Sequence, residues 1–509
     1  MQEMNTKLQD VERIIEEEIE RSKVPGMAVG IVHDGRLVYE KCHGKAKIEE
    51  NQPVTPKTNF MYGSITKFLT VIAVMQQWEQ GKFKLDDSVN DYLPDGKILI
   101  RKGWPPVTFK HLLTHQGGIG ELRRFRDIFH HGFRLLTYDD EPIPPMSSLH
   151  DLPIHATAPA GRKYAYSNIG VSVLGYIVEQ LTGKSFRDYV LENILDPLGM
   201  DQTDLIRSER VRVEEAYGYK HKKGSYKRAK RWNNIIKPSG SLVSNLVDMT
   251  KFATMLMDRG NIRNTSEQLL SPETMELMWT PHYWSHEAIK DRKSIGLVFR
   301  LYHMNGKKVI DHTGSVNGFT AAFSVIPEDK IAIIVNGNLH EGLIKRSTKR
   351  IRNRLLKLFT GLRNDFNEEH KPDKKYWKEI TGHYVGYPGW LSNTRLVAEG
   401  IEFEVYQDSG ELAYRSLTRV MKRGIKLYPT EDPLVYVSLP KDEAESLFFT
   451  NRLAFKLGDD GKVKEMGKDF FKLRKVPYYK TIEFRILCLS CLITFIITFT
   501  ILGKLFGVF

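Results

Sequence analysis

Apolar residues recur at helical spacing from the start of the chain. Leu8, Val11, Ile14, Ile15 and Ile19 predict an amphipathic helix over 5–22, broken by Pro25-Gly26. Met27–Val32 and Leu37–Lys41 read as strands, and Asp34-Gly35 between them predicts a hairpin turn. A denser helical run follows at Phe68, Leu69, Val71, Ile72, Val74, Met75 and Trp78, and stops at Gly81. Val107–Gly118 predicts a short helix entering a glycine-rich turn, and 140–163 is proline-rich loop expected to cover one side of a cleft. Apolar helices are expected after Tyr164–Gly170, up to Asp196-Pro197 and over Val247–Arg259. From Gly296 the period changes to that of strands: Leu297–Tyr302, Lys308–Asp311, Thr320–Ile326 and Ile331–Asn336. Leu343–Phe359 then returns to a basic amphipathic helix. Strands at both ends with helices between predict an α+β (mixed α/β) domain over 1–360. Its central antiparallel sheet is closed by both ends of the chain and flanked by helices, with a helical subdomain.

A charged linker over 361–376, containing Pro372, separates this region from 377–480. There the pattern is all-β: Gly382–Tyr387, Arg395–Tyr406, Glu411–Ser416, Ile425–Tyr428, Leu434–Val437, Leu447–Leu457 and Val463–Glu465 predict a small barrel-like domain with no catalytic constellation. Ile486–Leu502 is continuously apolar or small-polar, so a C-terminal transmembrane helix is expected over 484–503. Lys472, Arg474, Lys475, Lys480 and Arg485 precede it and only Lys504 follows. The positive-inside rule favours the cytoplasmic side for the globular part of a single-pass membrane anchor, and the side is left open. The N-terminus carries no apolar h-region, so no secretory signal is expected.

Composition changes the picture little. The net charge is +13, but the basic residues are spread out, and no zinc-finger or RNA-binding spacing accompanies them, so nucleic acid is not an expected partner. Tyr217–Arg231 is the one basic stretch with interleaved tyrosine; it reads as a solvated hairpin before it reads as a polyanion site. Of three cysteines, Cys42 stands alone before the tail, and Cys488 and Cys491 lie within it, so no disulfide framework is available to the globular part. His111 and His115 are four apart but lack the glutamate of a His-Glu-x-x-His zinc site, and Gly183-Lys-Ser185 lacks the preceding glycine of a P-loop. No metal or organic cofactor is expected.

The chemistry is expected at Ser64. It would begin the Phe68–Trp78 helix, with Lys67 three residues on, on the same face. A helix N-terminus favours negative charge developing at the hydroxyl, and a buried lysine loses its proton more readily and can act as base. Alone, Ser-x-x-Lys is also what an N-cap serine and a solvated lysine look like. Two more pieces follow in order: Tyr166-Ser-Asn168 and His312-Thr-Gly314. With these three motifs, residues 8–360 resemble the serine β-lactamase / penicillin-binding-protein superfamily, and within it the class C β-lactamase, D-aminopeptidase and esterase-like branch. Val107–His115, Pro159-Ala-Gly161, Ile194–Met200 and Pro238–Ser241 add to the likeness. The C-terminal domain resembles the lipocalin-like barrel of some peptidase members, on strand count and Gly382–Tyr387.

The resemblance implies roles. Ser64 attacks an acyl carbonyl, Lys67 and Tyr166 move its proton, and Asn168 holds Lys67 and the substrate amide. A phenol titrating near ~10 can do this only beside an ammonium. The backbone N–H groups of Ser64 and Ser315 would form the oxyanion hole, and Gly314 lets substrate approach the strand. His312, Thr313, Gly314 and Ser315 would bind substrate. Where relatives carry lysine this chain has His312, which points to esters or amides and peptides, D-amino-acid ones included, with weak or no β-lactam turnover. The expected partner is a small-molecule or peptide acyl substrate, and a homo-oligomer is compatible with the sequence. The other reading is a non-catalytic penicillin-binding-type sensor that keeps the fold to recognise a ligand.

Overall fold

The computed structural model describes residues 2–94, 97–120, 135–138, 141–151, 153–340, 347–363, 370–371, 373–386, 402–416, 424–440, 442–444, 446–448, 450–481, 483–485 and 488. The chain divides into two units: Met1–Asp365 with Leu391–Asn393 and Pro440–Phe449, and the remainder from Phe366 onward.

The first unit is built on an eight-stranded antiparallel sheet. Its spatial order is Lys293–Ile295, Arg300–Met304, Lys307–Val316, Phe319–Ile326, Ile331–Gly337, Gly26–His33, Arg36–Lys47 and Gln52–Pro53. The hairpin at Asp34-Gly35 sends the second and third of these chain-early strands to one edge, with Gly35 at φ +76. Met27↔Gly337 through His33↔Ile331 pairs a strand from the beginning of the unit with one from its end. Gly26–His33, Phe319–Ile326 and Ile331–Gly337 are buried along almost their whole length, because helices cover both faces of the sheet. On one face the helices Gln2–Ser22 and Ser347–Thr360 pack together, joined by a buried bidentate pair from Arg350 to Glu18 at 2.7 and 3.1 Å. On the other lies the helix Thr66–Glu79, buried on nearly every side among Asn168–Thr182, the short turn Lys237–Gly240 and the sheet. A helix apolar all round belongs in a core, and this one places Lys67 there.

The second unit is a closed barrel of eight antiparallel strands: Gly382–Gly386, Glu402–Asp408, Glu411–Ser416, Ile425–Pro429, Val435–Ser438, Asn451–Leu457, Val463–Lys468 and Phe471–Val476. Its interior is filled largely by rings, including Trp377, Tyr384, Phe403, Tyr414, Tyr436 and Phe455, as in small barrels whose side chains meet at the axis. The strand Phe471–Val476 was not expected. Its alternation of Phe471, Leu473 and Val476 with lysine and arginine reads as a basic approach to the tail, yet it closes the barrel through His383↔Val476.

The expected C-terminal transmembrane helix is corrected. Among the described residues no helix is long and apolar enough to cross a membrane, and most of 484–503 lies outside them. The single-pass anchor, the membrane as a partner and the cytoplasmic-facing placement derived from the anchor are withdrawn with it. The expectation rested on hydropathy over a run at the lower limit of spanning length. What is described there is a helical turn at 483–485 that carries Glu483 and Arg485.

Candidate active site

Ser64 sits on a tight turn between a short strand and the buried helix. Phe60–Gly63 pairs with Leu242–Ser244, and Gly63 turns the chain at φ +54, a conformation glycine adopts without strain. The Thr66 hydroxyl donates to Gly63 O at 2.6 Å and accepts from the Leu242 N–H at 2.9 Å, which pins the turn to its partner strand. The helix proper begins at Thr66, so Ser64 stands just ahead of it, with the Lys67 N–H donating to Ser64 O at 3.2 Å. Ser64 is 8% exposed, and Lys67 is fully buried.

The lysine is the hub. Its Nζ lies 3.2 Å from Ser64 Oγ, 2.8 Å from Asn168 Oδ1 and 2.5 Å from Ser239 O, and 4.9 Å from the centre of the Tyr166 ring. Two of these neighbours, an amide oxygen and a backbone carbonyl, can only accept. They therefore take two N–H donors in any protonation state and leave the third direction pointing at the Ser64 hydroxyl. Asn168 opens the helix Asn168–Thr182, capped by Ser167 Oγ accepting from the Gly170 N–H at 2.9 Å.

Tyr166 is buried beside the hub. His115 stacks on it with ring centres 4.4 Å apart, and His115 Nδ1 accepts the Ser167 N–H at 3.3 Å. The His115 backbone sits at φ +56, and its carbonyl accepts from the Ala165 N–H at 2.7 Å. Sequence reasoning treated the two histidines as structural. They do different work: His111 completes a capping box with Thr108, while His115 braces the Tyr166-Ser-Asn168 segment.

The strand Lys307–Val316 forms the opposite wall. A Cβ on Gly314 would lie 1.9 Å from Tyr62 O, and one on Gly63 would lie 2.9 Å from Ser315 N, so both glycines are needed for the strand to reach the serine turn. His312 is buried against Phe68, and its Nδ1 donates to Thr313 O at 2.8 Å. Burial, then Arg300 and Lys67, hold its pKa well below the usual imidazole value, so it is neutral near pH 7. The positive charge at this motif comes from Arg300 instead, whose Nη1 donates to Thr313 Oγ1 at 3.1 Å. Arg300 was read only as part of a strand. Its place depends on the pairing Arg300↔Asp311 with the neighbouring strand, which no spacing along the chain reveals. Thus Ser64, Lys67, Tyr166 and Asn168 come together on one side, with His312, Thr313, Gly314 and Ser315 along the facing strand. Ser239, His115 and Arg300 are the additions.

The fold is that of the β-lactamase family, and the motif residues stand together within it. The Beta-lactamase family profile matches residues 11–356, and the chain belongs to that family. Among curated relatives it is 28% identical over 348 residues to unguisins hydrolase ungD' of Aspergillus campestris. That match takes in 65% of this chain and 61% of the relative, less than two thirds of its length. Protein flp of Staphylococcus aureus is 22% identical over 358 residues, covering 69% of this chain and 67% of that protein. Among solved structures, the octameric penicillin-binding protein homologue from Pyrococcus abyssi superposes with a TM-score of 0.59 at 28% identity, over 92% of this chain and all of that one. A class C β-lactamase from Rhodobacter sphaeroides shares the fold, with a TM-score of 0.53 at 22% identity over 69% of this chain and 98% of that one.

Proposed function

We propose that the chain is a serine hydrolase that forms an acyl-enzyme on Ser64 and cleaves esters or amides, including peptides with D-amino acids, with little or no β-lactam turnover. The single observation behind this reading is the placement of Lys67 Nζ. It is fully buried, held by two fixed acceptors, and directed at Ser64 Oγ at 3.2 Å. A neutral amine in that position keeps both donor bonds and receives the Ser64 proton on its lone pair as the oxygen attacks the acyl carbon. Tyr166, braced by His115, adjoins the same amine and passes the proton toward the leaving group. The N–H groups of Ser64 and Ser315 receive the developing oxyanion. Asn168 aligns Lys67 and the substrate amide.

The substrate end beside Thr313 meets Arg300 rather than a lysine of the motif, and His312 supplies no charge. A carboxylate on the leaving group would be held there by the guanidinium and the Thr313 hydroxyl. The hydrolase among the relatives and the octameric homologue support, respectively, a hydrolytic activity and a homo-oligomeric state.

The test is intact-mass spectrometry after treatment with a fluorophosphonate, with Ser64→Ala as control, followed by turnover of esters and D-amino-acid amides. One covalent adduct is expected in the wild type and none in the variant. A folded wild-type protein that takes no adduct and turns over none of these substrates would overturn the proposal in favour of the non-catalytic sensor.

A further inference from the structure

The basic stretch Tyr217–Arg231 finds no use in the chemistry at Ser64, yet the fold brings it to the end of the catalytic strand. Gly218 and Gly318 face each other so closely that a Cβ on Gly318 would lie 2.6 Å from Gly218 Cα. Asn317 Nδ2 donates to Lys230 O at 2.8 Å. These contacts fix the hairpin Tyr219–Lys222 / Ser225–Arg228 against the turn that follows Val316. Between them opens a small recess of about 20 Å³ that is open to solvent. Arg207, Arg228, Arg231 and Glu215 supply its charges, and Met61 and Asn317 form the wall nearest Ser64.

Three guanidiniums and one carboxylate leave an excess of two positive charges in the lining. Arg207 Nε binds Glu215 Oε2 at 2.7 Å, and Arg231 pairs with the other Glu215 oxygen, which fixes both arginines in place around a buried carboxylate. Arg228 makes no ion pair among the described residues; the exposed Glu50 carboxylate, held by Lys47 and Tyr217, feels its charge. Arg228 lies flat on the Tyr217 ring, 3.3 Å from its centre, so stacking uses the guanidinium face and leaves the N–H edge for an anion. Asn317 is two residues beyond Ser315, in the turn that ends its strand, so at most about 7 Å of chain separates their Cα atoms. The recess thus lies at the end of the strand that carries Ser315, past it in the direction away from Thr313.

We propose that this recess is a subsite for a negatively charged group, a carboxylate above all, on the acyl part of the substrate. The enzyme would therefore prefer acidic acyl groups. This rests on the reading of Ser64 as the acylated nucleophile. The leaving group lies toward Arg300, the acyl chain runs past Ser315 toward Asn317, and its terminal anion meets the edge of Arg228 with the charge of Arg207 and Arg231 behind it.

The test compares p-nitrophenyl monoesters of glutaric and valeric acid, which differ in the terminal carboxylate at equal chain length. In the full wild-type chain kcat/KM should favour the glutaryl ester by about tenfold, the size of one good hydrogen bond to a charged group. The preference should shrink as salt is added. The ratio should approach one in Arg228→Gln and fall below one in Arg228→Glu; as a ratio within each variant, it cancels any general loss of activity. No preference in the wild type, or a preference that survives Arg228→Glu, would overturn the subsite. If neither ester is cleaved, the fluorophosphonate adduct and the amide substrates decide the hydrolase reading separately, and calorimetric titration of glutarate into the unreacted chain decides the subsite. Millimolar or tighter binding that Arg228→Glu abolishes supports it; no binding removes it.

Discussion

The first unit buries charge, while the barrel buries rings. The first unit's interior holds Lys67 beside Ser64, the Asp311–Arg352 and Glu18–Arg350 pairs on the other face of the sheet, and Lys163. In the barrel the described core is aromatic and aliphatic, and Glu402 is its one fully buried ionisable side chain apart from tyrosines. Buried charge is tolerated only where fixed partners surround it, and it destabilises the fold relative to an apolar substitute. Its presence in the first unit, with Lys67 at the serine itself, and its scarcity among the described residues of the barrel set the two interiors apart. The barrel's packing is what stability alone would select.

This contrast can be broken from either side. Phe455→Ala removes a ring from the barrel core and should cost about 3–5 kcal/mol of stability, read as a fall in the urea midpoint of the second unit. Esterase kcat/KM at 25 °C should stay within about twofold, since a large loss follows only from displacing the site itself. A loss of activity at full folding would show that the barrel contributes to the site and would end the division drawn here. Gly314→Ala tests the other unit. The new methyl meets Tyr62 O, so strand and serine turn must separate, and kcat/KM should fall by about a hundredfold or more. Circular dichroism should show the fold retained; wild-type activity would mean that the close approach is not used.

The smallest effect is expected at Lys163. Burial lowers its pKa to about 8, so the folded chain holds fewer protons than the unfolded one between pH 8 and the ordinary lysine range. Stability from this group therefore rises as pH climbs through that window, and below pH 8 the charged form carries the cost of its burial. Lys163→Met should be more stable than wild type at pH 7 by about 2 kcal/mol, with the advantage shrinking as pH rises toward 10. A pH-independent difference would assign the effect to packing, and a destabilised variant would mean that the ammonium is compensated where it lies.

Legibility differed between levels. Hairpin, serine helix and late strands were readable because each repeats its own period over several residues and carries its own turn: Asp34-Gly35, Gly81, Asn305-Gly306. Ser64 and Lys67 were readable because three residues in a row of helix settle their relation. The barrel's last strand was missed because Lys472, Arg474 and Lys475 mask its inward-facing residues. The tail was misread because hydropathy reports a preference to leave water and says nothing of the structure that satisfies it.

By itself the sequence determined the local order: which segments turn, which faces are apolar, and which three motifs recur in series. Only the tertiary structure decided the site. The acceptors of Lys67 come from Asn168 and Ser239, 101 and 172 residues away along the chain. The charge beside Thr313 comes from Arg300 through strand register, and His312 loses its own charge through burial. Electrostatics and hydrogen bonding act over a few ångströms whatever the separation in sequence, so their outcome exists only once the chain has closed upon itself.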